Sequence, residues 1–139
     1  MSRKSPVEGV VIVVSRAARL LLIRRAEGIL AGGAWCFVGG AIEADESQEA
    51  AAEREFAEEV GGRIRPLRKI WEYRRPDGRL LLHWWHADLL HDALTPNPAE
   101  VAELRWCATS EIRLLSPLLR STTEFLDSLT DTTSRELGL

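Results

Sequence analysis

Apolar positions along the chain fall into short runs separated by turn-forming residues, and their spacing marks the elements. Gly9 to Val14 and Arg19 to Arg24 are aliphatic or β-branched runs flanking Ser15 to Ala18, which predicts a hairpin. Glu27 to Ala34, with Gly28, Gly32 and Gly33, reads as a loop, and Trp35 to Val38 as a brief strand ending at Gly39-Gly40. Ser47 to Val60 is rich in Ala and Glu and stops at Gly61-Gly62, the pattern of a long helix. Ile64 to Tyr73 and Leu80 to Leu89 predict two strands joined by a turn at Pro76-Asp77-Gly78. A short strand is expected at Leu104 to Ala108. Ser116-Pro117 reads as an N-cap with proline at the first helical position. Leu118, Leu119, Thr122, Leu126 and Leu129 give that last helix one apolar face, and residues 130–139 read as a frayed polar tail. Strands and helices mix without strict alternation, so the expectation is an α/β chain: one domain over residues 1–139, with a mixed sheet between helices.

Composition changes this picture little, and charge changes it more. With 139 residues, 45% hydrophobic and 28% charged, the chain is of globular type and long enough for a core without staples. Cys36 and Cys107 are too few for a disulfide framework, which suggests a reducing compartment. The run Val10 to Val14 is far below the ~20 residues of a membrane span. Arg3 and Lys4 precede no signal-like apolar segment, because Glu8 interrupts it. A cytoplasmic protein without membrane contact is expected. The net charge of −3 hides a concentration: Glu43 to Glu59 holds eight acids and one base, leaving 13 acids and 17 bases elsewhere.

On a helix, Glu55, Glu58 and Glu59 fall within an arc of about 100°, beside a stripe of Ala52, Phe56 and Val60 able to pack on a sheet. Such a face is a solvated charged surface in most proteins. If it points into a cleft, three close carboxylates resist ionising together unless a cation joins them. A hard divalent ion such as Mg²⁺ (or Mn²⁺) suits oxygen ligands of this kind.

From Gly40 the sequence reads glycine, five residues, Glu46, seven residues, then Arg54-Glu55-Phe56-Ala57-Glu58-Glu59-Val60-Gly61. This resembles the signature box of the Nudix hydrolases, spanning residues 40–62, with its seven fixed residues in register. At typical residue frequencies such a match arises by chance with odds on the order of 10⁻⁸ per starting point. Asp45 stands where glycine often precedes the first glutamate, and Gly62 where an aliphatic residue usually closes the box. Ile23-Arg24-Arg25-Ala26, the approach from Trp35 to Gly40, Glu72-Tyr73 with Pro76-Asp77, and Glu100 before Trp106 are also MutT-like.

The resemblance implies an α/β/α sandwich that cleaves a nucleoside diphosphate linked to another group. It implies Glu55, Glu58 and Glu59 as metal ligands, with a Gly39 or Gly40 carbonyl, and Arg54 with Glu46 as the pair that orients them. The base that takes a proton from water would be Glu58, Glu59 or Glu100, with Glu103 close enough to compete for the last role. Arg25 matches a phosphate-contacting position. Tyr73, Arg75 and Arg120 are further candidates for substrate contact. Arg75 stands where an aromatic usually lines the purine pocket, and Arg120-Ser121 replaces an asparagine that reads oxidised guanine, so the resemblance leaves 8-oxo-dGTP selectivity open and Arg75 or Arg120 free to meet a second phosphate or another base. Seven bases between Arg63 and Arg79 are a candidate surface for steering an anion. Nucleic acid is not an expected partner, since no binding motif accompanies them. His83 and His86, three apart on a strand, face opposite ways and are not expected to share an ion. His91 stands alone. The leading reading is a Mg²⁺-dependent pyrophosphohydrolase of a nucleoside triphosphate or a related nucleoside diphosphate-X compound, of undefined oligomeric state. The alternatives are an ADP-ribose or dinucleotide hydrolase, for which Pro76 is a marker, and a nucleotide-sensing domain without activity.

Overall fold

The computed structural model describes residues 5–139; Arg3 and Lys4 lie outside them. Eight strands and four helices follow in the order β1 (Val7–Val13), β2 (Ser15–Arg16), β3 (Arg19–Arg25), β4 (Trp35–Cys36), β5 (Val38–Ala41), α1 (Gln48–Val60), β6 (Ile64–Arg74), β7 (Leu80–Leu89), β8 (Val101–Cys107), α2 (Thr109–Ile112), α3 (Arg120–Ser128) and α4 (Asp131–Glu136). One sheet has the order β5-β1-β7-β6, with β1 parallel to β7 and antiparallel to β5. In the other, β3 is central: β8 runs along one edge, and β2 and β4 share the opposite one.

The unbroken apolar runs of β1 and β3 have a simple cause, since both faces of these strands are buried. Val10, Ile12, Val14, Leu21 and Ile23 pack against Ala51, Ala52, Phe56 and Val60 of α1. Val11, Val13, Leu20 and Leu22 face the other way, onto Trp84, Ile112, Phe125, Leu126 and Leu137. A mixed α/β arrangement with helices on both faces results. Helix α1 is closed at its ends by local chemistry. The Ser47 hydroxyl accepts from the Ala50 amide, and Gly61, at φ 64°, donates to the Ala57 carbonyl.

Several expectations from the sequence are corrected. The first hairpin is smaller than expected. It joins β2 to β3 through Ala17 and Ala18, both at positive φ, while β1 crosses into the other sheet to find partners for its two apolar faces. Gly39 and Gly40 lie within β5 rather than ending a strand. Strand β8 begins at Val101, three residues early. Ser116 caps nothing: the Trp35 amide donates to the Pro117 carbonyl and the Leu119 amide to the Trp35 carbonyl, so residues 117–119 are held extended and α3 starts at Arg120. The tail is not frayed. Thr130 accepts from the Thr133 amide to start α4, and Leu137 is 1% exposed in the core beside Ile112 and Phe125. Asp45 takes φ 63°, the left-handed conformation that glycine would adopt without strain.

Because Leu137 anchors the C-terminal segment, Leu137→Ala is expected to lower unfolding stability by about 2–4 kcal/mol. An unchanged urea midpoint would show that the tail contributes nothing to the core.

Candidate active site

Arg54 is the hub of the acidic helix. Its Nε and Nη2 donate to the two Glu46 oxygens at 2.8 and 2.9 Å, and Nη1 to Glu55 at 2.9 Å and Glu58 at 3.2 Å. Nη2 also donates to the Ala41 carbonyl at 2.9 Å, tying the helix to strand β5. Glu46 is held in turn by the Glu43 amide, and Arg54 keeps its carboxyl low, near 2. One guanidinium thus spreads over three carboxylates and fixes their orientation.

Glu59 lies deeper, only 6% exposed, and accepts from the Gly39 amide at 3.0 Å. Burial, followed by the charge of Glu55, pushes its pKa up to about 8; Glu100 adds to the rise, and the Gly39 bond and Arg25 oppose it. Glu55 is also raised, first by burial, with Glu58 and Glu100 adding and Arg54 opposing. Glu100 reaches this group because its loop is bonded to the end of α1: the Thr95 amide donates to the Val60 carbonyl and the Asn97 amide to the Glu59 carbonyl. Glu103 is engaged elsewhere, with Arg105 and Arg24. Among the described residues no three His, Cys, Asp or Glu side chains are drawn together as a ready-made ion site. The oxygens go to Arg54 and to Gly39 instead.

Strand β5 forms the partition between these acids and a cleft. The register of β5 on β1, with the Ile42 amide on the Glu8 carbonyl, turns the even-numbered backbone groups toward β1. Gly39 and Ala41 therefore face outward, toward α1. Gly39, rather than Gly40, presents its backbone to the acids. Gly40 has a steric role, since a Cβ there would overlap the Glu55 carboxylate. On the far side of the partition lies a cleft of ≈ 300 Å³, whose wall includes Val11, Phe37, Leu82, Trp84, Leu119 and Thr122, with Arg25 at its edge. Arg25 is fixed by donation from Nε to the Leu30 carbonyl at 2.7 Å.

The other sequence candidates are not brought to this cleft. Tyr73 is buried in the aromatic core. Arg75 donates to Asp77 at the tip of the β6–β7 hairpin, and the exposed Arg120 pairs with Glu124. The basic stretch is largely compensated: Arg65 pairs with Asp88, Arg68 with Glu136, and Lys69 with Glu72. His83 lies between Lys69 and Glu8, whereas His86 is close to Asp88 and Arg68. Of the sequence's aromatics able to stack on a base (Trp35, Phe37, Trp71, Tyr73, Trp84 and Trp85), Phe37 and Trp84 line the cleft. Leu119 and Thr122 read in the sequence only as the apolar face of the last helix, with no signal to separate them from core.

The NUDIX domain family matches residues 5–129. The chain belongs to the Nudix hydrolases. It is 34% identical to a CTP pyrophosphohydrolase of Escherichia coli K12 over 107 residues, which is 76% of this chain and 78% of that protein. Identity to the NAD-capped RNA hydrolase NudC of Stutzerimonas stutzeri is 33% over 75% of this chain, but the match spans only 36% of that longer protein. The solution structure of the E. coli ORF135 protein superposes with a TM-score of 0.75 at 30% identity, covering 89% of this chain and 88% of that one. The MutT protein of Methanosarcina mazei, at 21% identity and a TM-score of 0.79, shares the fold. No helix among the described residues is long and apolar enough to cross a membrane.

Crowding of the acids predicts a pH-dependent penalty in this Nudix protein. A carboxyl raised from 4.5 to about 8 destabilises the folded state progressively as pH rises between those values. In metal-free solution, Glu59→Gln is expected to melt like the wild type near pH 5 and to be the more stable near pH 8.5, by on the order of 3 kcal/mol. A difference in melting temperature that does not change with pH would contradict the buried, crowded carboxylate.

Proposed function

We propose that this Nudix hydrolase is a Mg²⁺-dependent pyrophosphohydrolase of nucleoside triphosphates, with a pyrimidine triphosphate such as CTP as the leading substrate. The observation that carries the reading is the buried Glu59, bonded to the outward amide of Gly39 and raised by the charges of Glu55 and Glu100, with a cleft behind the same strand. The similarity to a CTP pyrophosphohydrolase, over most of both chains, supports the substrate class.

The residues fit a hard divalent cation. All the donors are oxygens, and two of the carboxyls are raised by burial and, after it, by neighbouring acids, a cost that a cation would relieve. Glu55, Glu58 and Glu59, with the Gly39 carbonyl, would hold Mg²⁺ or Mn²⁺. When bound, such an ion neutralises phosphate charge and lowers the pKa of a nearby water. Arg54 keeps Glu55 and Glu58 pointed toward one another, and Glu46 keeps Arg54 in place. Glu58 is tied to Arg54 and Glu59 to the Gly39 amide, whereas the Glu100 side chain has no hydrogen-bond partner among the described residues. We therefore assign Glu100 the proton taken from the attacking water. Arg25, at the junction of acids and cleft, meets the phosphates. A reducing cytoplasm suits two free, buried cysteines.

A second reading, hydrolysis of a dinucleotide, rests on the NudC relatives and on Pro76 beyond the box. A screen of nucleoside triphosphates, ADP-ribose and NAD with Mg²⁺ decides between them. The expected result is pyrophosphate release from pyrimidine triphosphates, with kcat reduced ~10²–10⁴-fold in Glu100→Gln. Turnover of NAD or ADP-ribose alone would favour the second reading. Nucleotide binding without turnover by the wild type would mean a sensor.

A further inference from the structure

Residues 90–100, between β7 and β8, belong to no strand or helix, yet they deliver Glu100 to the acids of α1. A group that takes a proton in a reaction must be held in place far more closely than a free loop allows. Asn97 is where this loop is fastened. It stands between Pro96 and Pro98. Each proline ring locks its own φ, and Pro98 disfavours the helical conformation for the residue before it, so three consecutive positions have little freedom.

Four hydrogen bonds converge on Asn97. Its amide donates to the Glu59 carbonyl at 2.8 Å, and its carbonyl accepts from the Glu100 and Val101 amides at 3.0 and 2.8 Å. Its side-chain oxygen accepts from the Ala99 amide at 3.1 Å. The first bond ties the loop to the acid helix, and the other three wind residues 98–101 into a turn, the side chain standing in for a backbone acceptor. On the far side of the turn the Glu100 carbonyl accepts from the Ala26 amide at 2.9 Å, one residue past Arg25. Both backbone polar groups of Glu100 are thus fastened, one toward Glu59 and one toward Arg25. Only the bond to Ala99 runs through the Asn97 side chain, which makes its contribution separable from the rest.

We propose that Asn97 is a positioning residue for the reaction: its side-chain oxygen closes the turn that holds Glu100 in register with Glu59 and Arg25. The proposal rests on Glu100 as the acceptor of the water's proton, and its experiment separates the two claims.

Asn97→Ala removes the side-chain acceptor and leaves the three backbone bonds. In the metal-free protein, exchange of the Ala99, Glu100 and Val101 amides is expected to quicken roughly 5- to 10-fold, read by NMR. With Mg²⁺ and the best substrate of the nucleotide screen, kcat is expected to fall about 10-fold, with KM changed less than about 2-fold. Asn97→Asp keeps an oxygen acceptor and should restore the slow exchange and most of kcat. In the Glu100→Gln background, Asn97→Ala should change kcat less than about 2-fold, because no carboxylate is left to position. An equal loss in both backgrounds would overturn the proposal, as the mark of a general loosening. Unchanged exchange, or wild-type kcat in Asn97→Ala beside an impaired Glu100→Gln, would overturn it and leave the proposed function standing. Full turnover by Glu100→Gln would remove the role given to Glu100 and this proposal with it, and no turnover by the wild type would remove both. Should Asn97→Ala not fold, Asn97→Ser, whose hydroxyl holds the amide more weakly, takes its place with a smaller expected loss.

Discussion

Like-charge crowding at the inner end of α1 is the constraint that the rest of the structure answers. Glu59 is buried, Glu55 is half sheltered, and Glu100, on a loop bonded to the helix end, adds its charge to both. A fold optimised for stability alone would not place three acids there. Arg54 offsets part of the repulsion, and its four partners, Glu46, Glu55, Glu58 and the Ala41 carbonyl, show how much of the local geometry is organised around that task. Strain retained at one place and compensated around it is the usual mark of a working site.

The partition strand explains how charge and an apolar cleft can serve one ligand. Two glycines let β5 pass between helix and cleft with no side chain on either: a Cβ at Gly39 would overlap the Val10 carbonyl, and one at Gly40 the Glu55 carboxylate. The acids and the cleft are thereby separated by one backbone thickness. On the proposed reading, a nucleotide laid across that strand would have its phosphates on the acidic side and its base in the cleft, whose wall includes Phe37 and Leu82. Charge and apolar surface, which repel each other's ligands in solution, meet at a spacing that a nucleotide spans.

Much of this was legible in the sequence, and what was not has physical reasons. The box from Gly40 to Gly62 identified the helix, its Ser47 and Gly61 ends and the acid spacing, because helix capping and face arithmetic are local. The apolar runs of β1 and β3 were found, yet their assignment to different sheets was not, since pairing is decided by distant strands. Ser116-Pro117 looked like a helix start, but Trp35 recruits residues 117–119 into a backbone contact that sequence does not show. The polar tail hid one decisive residue, Leu137. Arg75 and Arg120 lie outside the cleft lining and pair with Asp77 and Glu124, contacts that the spacing of charges in the sequence did not distinguish from a free arginine.

The central claim is that the crowded carboxylates form a cation seat. Calorimetric titration of the protein with Mg²⁺ at pH 7, in two buffers of different ionisation enthalpy, tests it most directly. A carboxyl with a pKa of about 8 is mostly protonated at that pH, so a cation that takes Glu59 as ligand must displace its proton. The account predicts binding with release of close to one proton per ion, lost in Glu59→Gln. Binding without proton release, or equal binding by Glu59→Gln, would contradict it.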